Sequence, residues 1–360
     1  MDPPSNEAAE QPSSSLPNDL IEDILARMPA KSVMRSSQGF VDRHLRLANR
    51  CHSPRLFILP EFNSSDTTVH AWSPGRPLAP VLRDDRLRRV RAVTGQCRGL
   101  VVLEADRPTT IIRNLDDPND RVYFYKVNHY VWNPSTGQIM ALPKGNDSFG
   151  CWPHHHDNLG IGYDTRIRKH KVVCLYCRGD LPPACEGHLH WVAEPDKKFN
   201  FGRIIMSFSI SDEEFGIVPP PPMKMYTYEI VELNGHLCVF NNSGEFERSF
   251  DIWVLRDHQA GAWDLYCRID LDTPPLSDTQ LMRSCSIIPI GCVDDGSRLL
   301  LRPDPHWNNT NNWKSHQLFM YRPADGDVED LLTGGGIITH HTVARRVVAP
   351  YEESLESTGP

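Results

Sequence analysis

The side chains with the most obvious capacity for chemistry are thiols and imidazoles. Cys174 and Cys177 are separated by two residues, and Cys185, His188 and His190 follow shortly after, an order of donors that resembles a zinc-ligand series. The pair lies in an apolar, strand-like run, however, and no second Cys-x-x-Cys exists. Thiols buried in a strand are the better reading, and no metal site is assigned. His154, His155 and His156 stand near Cys151 but lie in a polar stretch between Pro153 and Asp157, which reads as a solvated loop. No cofactor is expected.

Catalytic grammar is missing as well. The chain has no G-x-S-x-G elbow, no Walker loop, no G-x-G-x-x-G after a strand and no H-E-x-x-H pair. Gly334-Gly335-Gly336 carries no following Lys-Ser or Lys-Thr and reads as a turn. With 16 histidines, chance alone supplies candidate bases, so the expectation is that this is not an enzyme. Arg83, Arg86, Arg88, Arg89 and Arg91 are interleaved with Asp84, Asp85, Leu87 and Val90, the pattern of a solvated face, not of a basic patch.

Composition narrows the partners. The 360 residues carry 38 basic and 46 acidic side chains, a formal charge of −8, which argues against a broad nucleic-acid or anionic-membrane surface. Ten cysteines without a short paired framework suit a reducing compartment. The start of the chain has no apolar signal core, and no stretch reaches the length of a membrane span. The expected location is intracellular, cytoplasmic and/or nuclear, and the expected partners are proteins.

Three zones must position whatever site exists. Residues 1–15 are polar and Pro-rich and read as a disordered tail. Residues 16–50 hold the helical part: Leu20, Ile21, Ile24, Leu25 and Met28 share one stripe, Pro17 suits a first turn, and Pro29 stops the helix. Residues 51–350 change to short apolar runs with frequent Gly and Pro, and residues 351–360 read as a second disordered tail. The large zone repeats itself. A Gly followed by an apolar strand recurs at Gly99, Gly187, Gly235 and Gly296, and each is followed by a hairpin: 130–143, 205–219, 250–269 and 318–332. A further unit starts at Gly160. Such periods belong to propeller blades; two packed antiparallel sheets are the alternative. The fold class expected is mainly β with a small N-terminal α module and a propeller-like, kelch-type β domain.

Residues 16–35, LPNDLIEDILARMPAKSVMR, closely resemble the start of a plant F-box. The phrases WNPSTGQIMALP, GIGYD, KVVCLY, GHLHWV, SFSISDEEFGIVPPPP and FDIWVL, in that order, resemble the F-box-associated domain that follows it in that family. The resemblance implies the substrate-recognition subunit of an SCF-type cullin-RING ubiquitin ligase. Leu16, Pro17, Leu20, Ile24, Leu25, Pro29 and Val33 would bind a Skp-type adaptor, and through it a cullin scaffold, while the β domain would hold the target protein. Periodicity alone leaves open that the same stripe docks on the chain's own β domain.

Two departures from the family pattern matter. After Arg35 the chain passes almost directly to Phe40-Val41-Asp42-Arg43-His44-Leu45, so the third F-box helix is missing and the F-box is shortened. Near Pro182-Pro183-Ala184-Cys185-Glu186 a strand pair and loop are absent, which points to one incomplete blade. A stand-alone interaction or ligand-binding propeller with a vestigial F-box is therefore the alternative function. Loop aromatics are the candidate target contacts: Trp152, Trp307 and Trp313. Trp191, Trp253 and Trp263 lie in strand patterns and read as core.

Overall fold

Turn geometry explains the repeated glycines. The structure, a computed structural model, describes residues 38–49, 55–59, 67–73, 76–77, 79–87, 90–93, 96–113, 121–143, 158–175, 183–193, 203–222, 228–241, 249–270, 287–303, 318–331 and 348–358. Within it Arg98-Gly99, Glu186-Gly187 and Asn234-Gly235 each form a two-residue hairpin with φ of 52° and 77°, 49° and 78°, and 52° and 82°. Positive φ at both central positions is the type I′ turn, whose twist matches the flanking strands. Glycine takes the second position without steric cost, and a residue that keeps its side chain takes the first.

Each of these turns joins the first two strands of a four-stranded sheet, and the hairpins read from the sequence supply the other two. We number the sheets in chain order. Blade 1 holds β1 (Leu56–Ile58), β2 (Thr68–Trp72) and β3 (Ala79–Arg83); blade 2 holds β4 (Val90–Val93), β5 (Val101–Arg113), β6 (Arg121–Trp132) and β7 (Ile139–Ala141). Blade 3 consists of β8 (Asn158–Asp164) and β9 (Lys169–Leu175). Blade 4 runs β10 (Ala184–Cys185), β11 (His188–Ala193), β12 (Ile204–Ser209) and β13 (Phe215–Val218). Blade 5 is β14 (Tyr228–Leu233), β15 (His236–Asn241), β16 (Ser249–Asp257) and β17 (Ala262–Asp270). Blade 6 is β18 (Ile287–Val293), β19 (Arg298–Pro303), β20 (Phe319–Arg322) and β21 (Asp327–Asp330). A last strand, β22 (Val348–Pro350), pairs antiparallel with β1 and completes blade 1.

The core lies between the blades. Phe57, Leu59 and Val69 of blade 1 pack on Val101, Leu103 and Trp132 of blade 2. Val102 and Val131 meet Leu159 and Ile161 across the boundary of blades 2 and 3. Val173 and Leu175 of blade 3 pack against Leu189, Trp191 and Ile210. Equivalent layers join blades 4 and 5, 5 and 6, and 6 and 1, so the ring closes. The architecture is a β-propeller of five four-stranded blades with a two-stranded sheet between blades 2 and 4. Where a strand is sandwiched by two neighbours it is buried on both faces, as β1 and β11 are, and reads as a largely apolar run.

The incomplete blade foreseen from the missing strand pair is blade 3. Among the described residues it has two strands, β8 and β9.

The segment after Pro350 is a correction: it is not a loose tail. Ser354 is 0% exposed and Glu356 is buried, because backbone and side chains of 351–356 find partners on blade 2 and on the one helix among the described residues, α1 (Gln38–Ala48). A sequence-local reading saw only an acidic, polar end; the partners that order it lie hundreds of positions away. In α1 the buried residues Phe40, Val41, His44 and Ala48 fall on one face at helical spacing, and Phe40 packs with Leu47 and Leu355.

Candidate functional site

The residues expected to touch an adaptor, Leu16, Pro17, Leu20, Ile24, Leu25, Pro29 and Val33, lie outside the described residues, as do the loop aromatics Trp152, Trp307 and Trp313. The structure shows instead the mount that fixes α1 to the propeller. It is built from three distant pieces: α1, the first turn of blade 2 with its β6–β7 turn, and the C-terminal segment.

The β6–β7 turn is the sequence Trp132-Asn133-Pro134-Ser135-Thr136-Gly137. Asn133 folds it, its Oδ1 accepting from the backbone N–H of Ser135 at 2.8 Å and of Thr136 at 3.2 Å. The same side chain then reaches out: Nδ2 donates to the carbonyls of Ser354 at 3.1 Å and Glu356 at 2.8 Å. Ser135 Oγ accepts from the Ser354 N–H at 3.0 Å. All three residues are buried, where an unmade hydrogen bond costs about 1–3 kcal/mol. Gly99 leaves the space this requires, since a Cβ there would stand 2.4 Å from Ser354 Cβ and 2.7 Å from the Glu352 carbonyl.

Arg98 sits beside it in the left-handed region, φ 52°, a conformation that costs a non-glycine residue on the order of 1 kcal/mol. The position lets its guanidinium join all three pieces. It donates to Glu356 Oε1 at 2.7 Å, forms an ion pair with Asp42 of α1, and lies over the Tyr163 ring with 4.2 Å to the centroid. Burial works against this charge, but Glu356 and Asp42 outweigh it and raise the arginine pKa. At the other end of α1, Asn49 donates to the Leu45 and Glu353 carbonyls at 2.7 and 3.0 Å and accepts from the Glu353 N–H at 2.7 Å. Arg55 pairs with Glu353 at 2.6 Å. Gln38 Nε2 donates to Glu356 Oε1 at 3.3 Å. Both ends of the helix are thus tied to one peptide, 353–356. The WNPSTG phrase was visible in the sequence; its partner, 221 positions on, carried no local signal.

Of the histidines considered as ligands, His154, His155 and His156 lie outside the described residues, and His188 and His190 come together with a third, His258. His188 and His258 stack at 4.1 Å between centroids, and His190 Nε2 lies 3.2 Å from His258 Nε2. Burial, then the neighbouring imidazoles His258 and His188, pushes His190 down to about 3, and burial also lowers His258, so the short contact between these two rings is a hydrogen bond between neutral imidazoles. Cys185 is buried and its thiol pKa is raised by burial; Cys177 lies outside the described residues. Among the described residues no group of three or more His, Cys, Asp or Glu is arranged to hold a metal ion, and no helix is long and apolar enough to cross a membrane. Trp191 is fully buried, as its strand pattern implied, and Trp263 packs on the core between blades 4 and 5 while donating to the Pro219 carbonyl at 2.7 Å.

Comparison with known proteins agrees with this geometry. Residues 182–304 match the family described as the F-box associated beta propeller domain. An F-box protein of Arabidopsis thaliana, At3g07870, is 22% identical over an alignment covering 91% of this chain and 90% of that protein. The Arabidopsis F-box protein At4g19940 is 22% identical with 82% and 81% covered, and the F-box/kelch-repeat protein At4g19930 is 22% identical with 70% and 69% covered. The chain is thus similar over residues 182–304 to the F-box associated beta propeller domain, and over most of its length to plant F-box proteins.

Proposed function

We propose that this protein is a target-choosing subunit of an SCF-type cullin-RING ubiquitin ligase and performs no chemistry of its own. Leu16, Pro17, Leu20, Ile24, Leu25, Pro29 and Val33 are the proposed contacts to a Skp-type adaptor, and the propeller holds the target; Trp152, Trp307 and Trp313 are proposed target contacts. The observation that supports this most is the mount. A ligase subunit works by holding its target at a fixed place near the charged partner, so that transfer occurs at high effective concentration. A helix tied at both ends to the propeller through Arg98, Asn49 and the buried 353–356 peptide transmits position in a way a free linker would not. The proposed location is intracellular.

A second reading has its own support. Only residues 36 and 37 stand between Arg35 and the start of α1, which leaves no length for a third F-box helix ahead of the mount. A module that loses a helix loses much of a small core, and the protein would then be an interaction propeller that recruits no ligase. Titration of the full chain with a purified Skp-type adaptor separates the two. Saturable binding that disappears in Leu25→Asp is the expected result. A folded chain that shows no binding at tens of micromolar, on the order of weak but useful affinities, would overturn the ligase assignment.

A further inference from the structure

One layer between blades carries a polar side chain where its counterparts are apolar. The inner hairpins pair Cys97↔Leu100, Cys185↔His188, Leu233↔His236 and Val293↔Arg298. Two residues further along each second strand stand Val102, His190, Cys238 and Leu300, all at most 1% exposed. Val102 packs against blade 3, Cys238 against blade 6 and Leu300 against blade 1, each towards the next blade of the ring. His190 points the same way, because its Nε2 lies 3.2 Å from Nε2 of His258 in the β16–β17 turn of blade 5. An imidazole thus fills a place that its counterparts give to Val, Cys and Leu, and burying its polar atoms costs free energy unless they find partners.

The two rings have the form and the spacing of metal donors. An imidazole gives its lone pair to an ion only when neutral, and burial holds His190 and His258 in that form. Two imidazoles on one tetrahedral ion, each about 2.0–2.1 Å from it, stand about 3.3 Å apart, against 3.2 Å here. His188 stacks on His258 at 4.1 Å between centroids, and its Nδ1 donates to the Glu186 carbonyl at 3.1 Å. A ring held in this way orients the one it covers. The carboxylates of Glu186 and Asp257 favour positive charge at His258, which offsets part of the cost of placing a cation there. Among the described residues no third His, Cys, Asp or Glu completes the set, so two imidazoles are what the protein offers.

We propose that Nε2 of His190 and Nε2 of His258 form a transition-metal site of the zinc class across the boundary of blades 4 and 5, with water in the remaining positions. The inference goes beyond the reading of the chain as a ligase subunit and does not depend on it. Imidazole pairs suit Zn2+, Cu2+ and Ni2+, whereas Ca2+ and Mg2+ take oxygen. In the pair as it stands, one Nε2–H points at the lone pair of the other ring. On binding, that N–H bond breaks and an N–H bond forms at Nδ1 of the same ring. Each Nε2 then gives its lone pair to the ion, and no net proton leaves. The ion staples the two blades, since it binds the folded arrangement and stabilises it by mass action. The donor series Cys174, Cys177, Cys185, His188 and His190 contributes one ligand only; the other comes from 68 positions further along the chain.

The test is calorimetric titration of the reduced full chain with Zn2+ alone at neutral pH, followed by X-ray absorption at one equivalent. Expected is an ion held in a shell of nitrogen and oxygen at about 2.0–2.2 Å, without sulfur at about 2.3 Å. That equivalent should be lost in His190→Gln and in His258→Gln. It should be kept in His236→Gln, which changes a neighbouring imidazole that bonds Glu186, and in a chain combining His154→Ala, His155→Ala and His156→Ala. His190 is buried and its variant can fail to fold, whereas His258 lies half-buried in a turn, so the decision rests on His258→Gln. The unfolding midpoint supplies a second readout: Zn2+ should raise it in the parent and leave it unchanged in His258→Gln. Four results would overturn the proposal: no binding at ion concentrations on the order of hundreds of micromolar, a sulfur shell, binding unchanged in His258→Gln, or binding that disappears with the 154–156 triplet.

Discussion

Blade 1 takes its innermost strand from the opposite end of the chain, where β22 pairs with β1 from Leu56↔Pro350 to Ile58↔Val348. Among the described residues blade 3 shows two strands, β8 and β9. The two regions face the same requirement, because a sheet edge between apolar neighbours leaves backbone groups and side chains uncovered. In blade 1 the strand that meets it also closes the ring, and the residues beyond it continue across blade 2 to fasten α1. Blade 3 meets the requirement only for its inner half, through Val173 and Leu175 on blade 4 and Val172 on blade 2. The contrast separates an edge covered by a strand from the far end of the chain from one whose described contacts are side-chain packing on the two neighbouring blades.

Removing the strand that closes blade 1 breaks the comparison most severely. A chain ending at residue 347 loses β22, the partners of Asn133 and Ser135, and both anchors of α1. We expect loss of cooperative unfolding, read by circular dichroism and calorimetry, because ring closure and the helix mount fail together. A transition that stays cooperative, within a few degrees of the parent, would show that the first and last blades hold without their shared strand.

Next in size are point changes on each side of the contrast. Gly99→Ala places a Cβ against Ser354 and the Glu352 carbonyl in a left-handed conformation; the expected cost is about 2–3 kcal/mol, measured by denaturant unfolding. Val218→Ser, in the filled layer between blades 4 and 5, removes buried methyl surface and leaves a hydroxyl to satisfy, and costs about 2 kcal/mol or more.

The two regions should also respond to pH with opposite sign. Burial and the Glu232 carboxylate push Glu352 of the closing segment up from 4.5 to about 7. The folded state thus favours its protonated form, and that contribution is complete below pH 4.5 and lost as pH rises through 7. Burial, and then the Arg98 charge, pushes His170 of β9 down from 6.5 to about 4. Here the folded state favours the neutral ring, so the contribution is complete above pH 6.5 and lost as pH falls towards 4. Glu352→Gln should flatten stability between pH 5 and 8, and His170→Gln between pH 7 and 5, each by about 1 kcal/mol. Slopes unchanged in both variants would remove the electrostatic half of the contrast.

Much of this architecture was legible because it is written in local chemistry. Gly99, Gly187 and Gly235 announce their turns by type and spacing, and the hairpins that follow carry their own turn residues. The missing strand pair near Pro182–Glu186 was legible only against the pattern of the family the chain resembles. The order of residues 351–358 was not legible, since Asn133, Ser135, Asn49 and Arg55 recognise mostly backbone there, and backbone recognition leaves no mark on the sequence being recognised. The exposure of Phe215 and Ile217 was hidden for a related reason: they read as ordinary strand residues of the SFSISDEEFGIVPPPP phrase.

The smallest stability effect is the most discriminating one. Ile217→Ser changes a side chain that is 69% exposed, so it should alter unfolding free energy by no more than about 0.5 kcal/mol, while the serine one position later, at Val218, costs several times as much. Two adjacent residues on one outer strand would then differ because one faces a completed blade and the other faces a gap. A large loss at Ile217 would mean that the gap is already closed within the folded protein and that blade 3 is complete in the same sense as blade 1. A negligible loss would mean that Ile217 faces solvent in the folded protein, as its exposure indicates.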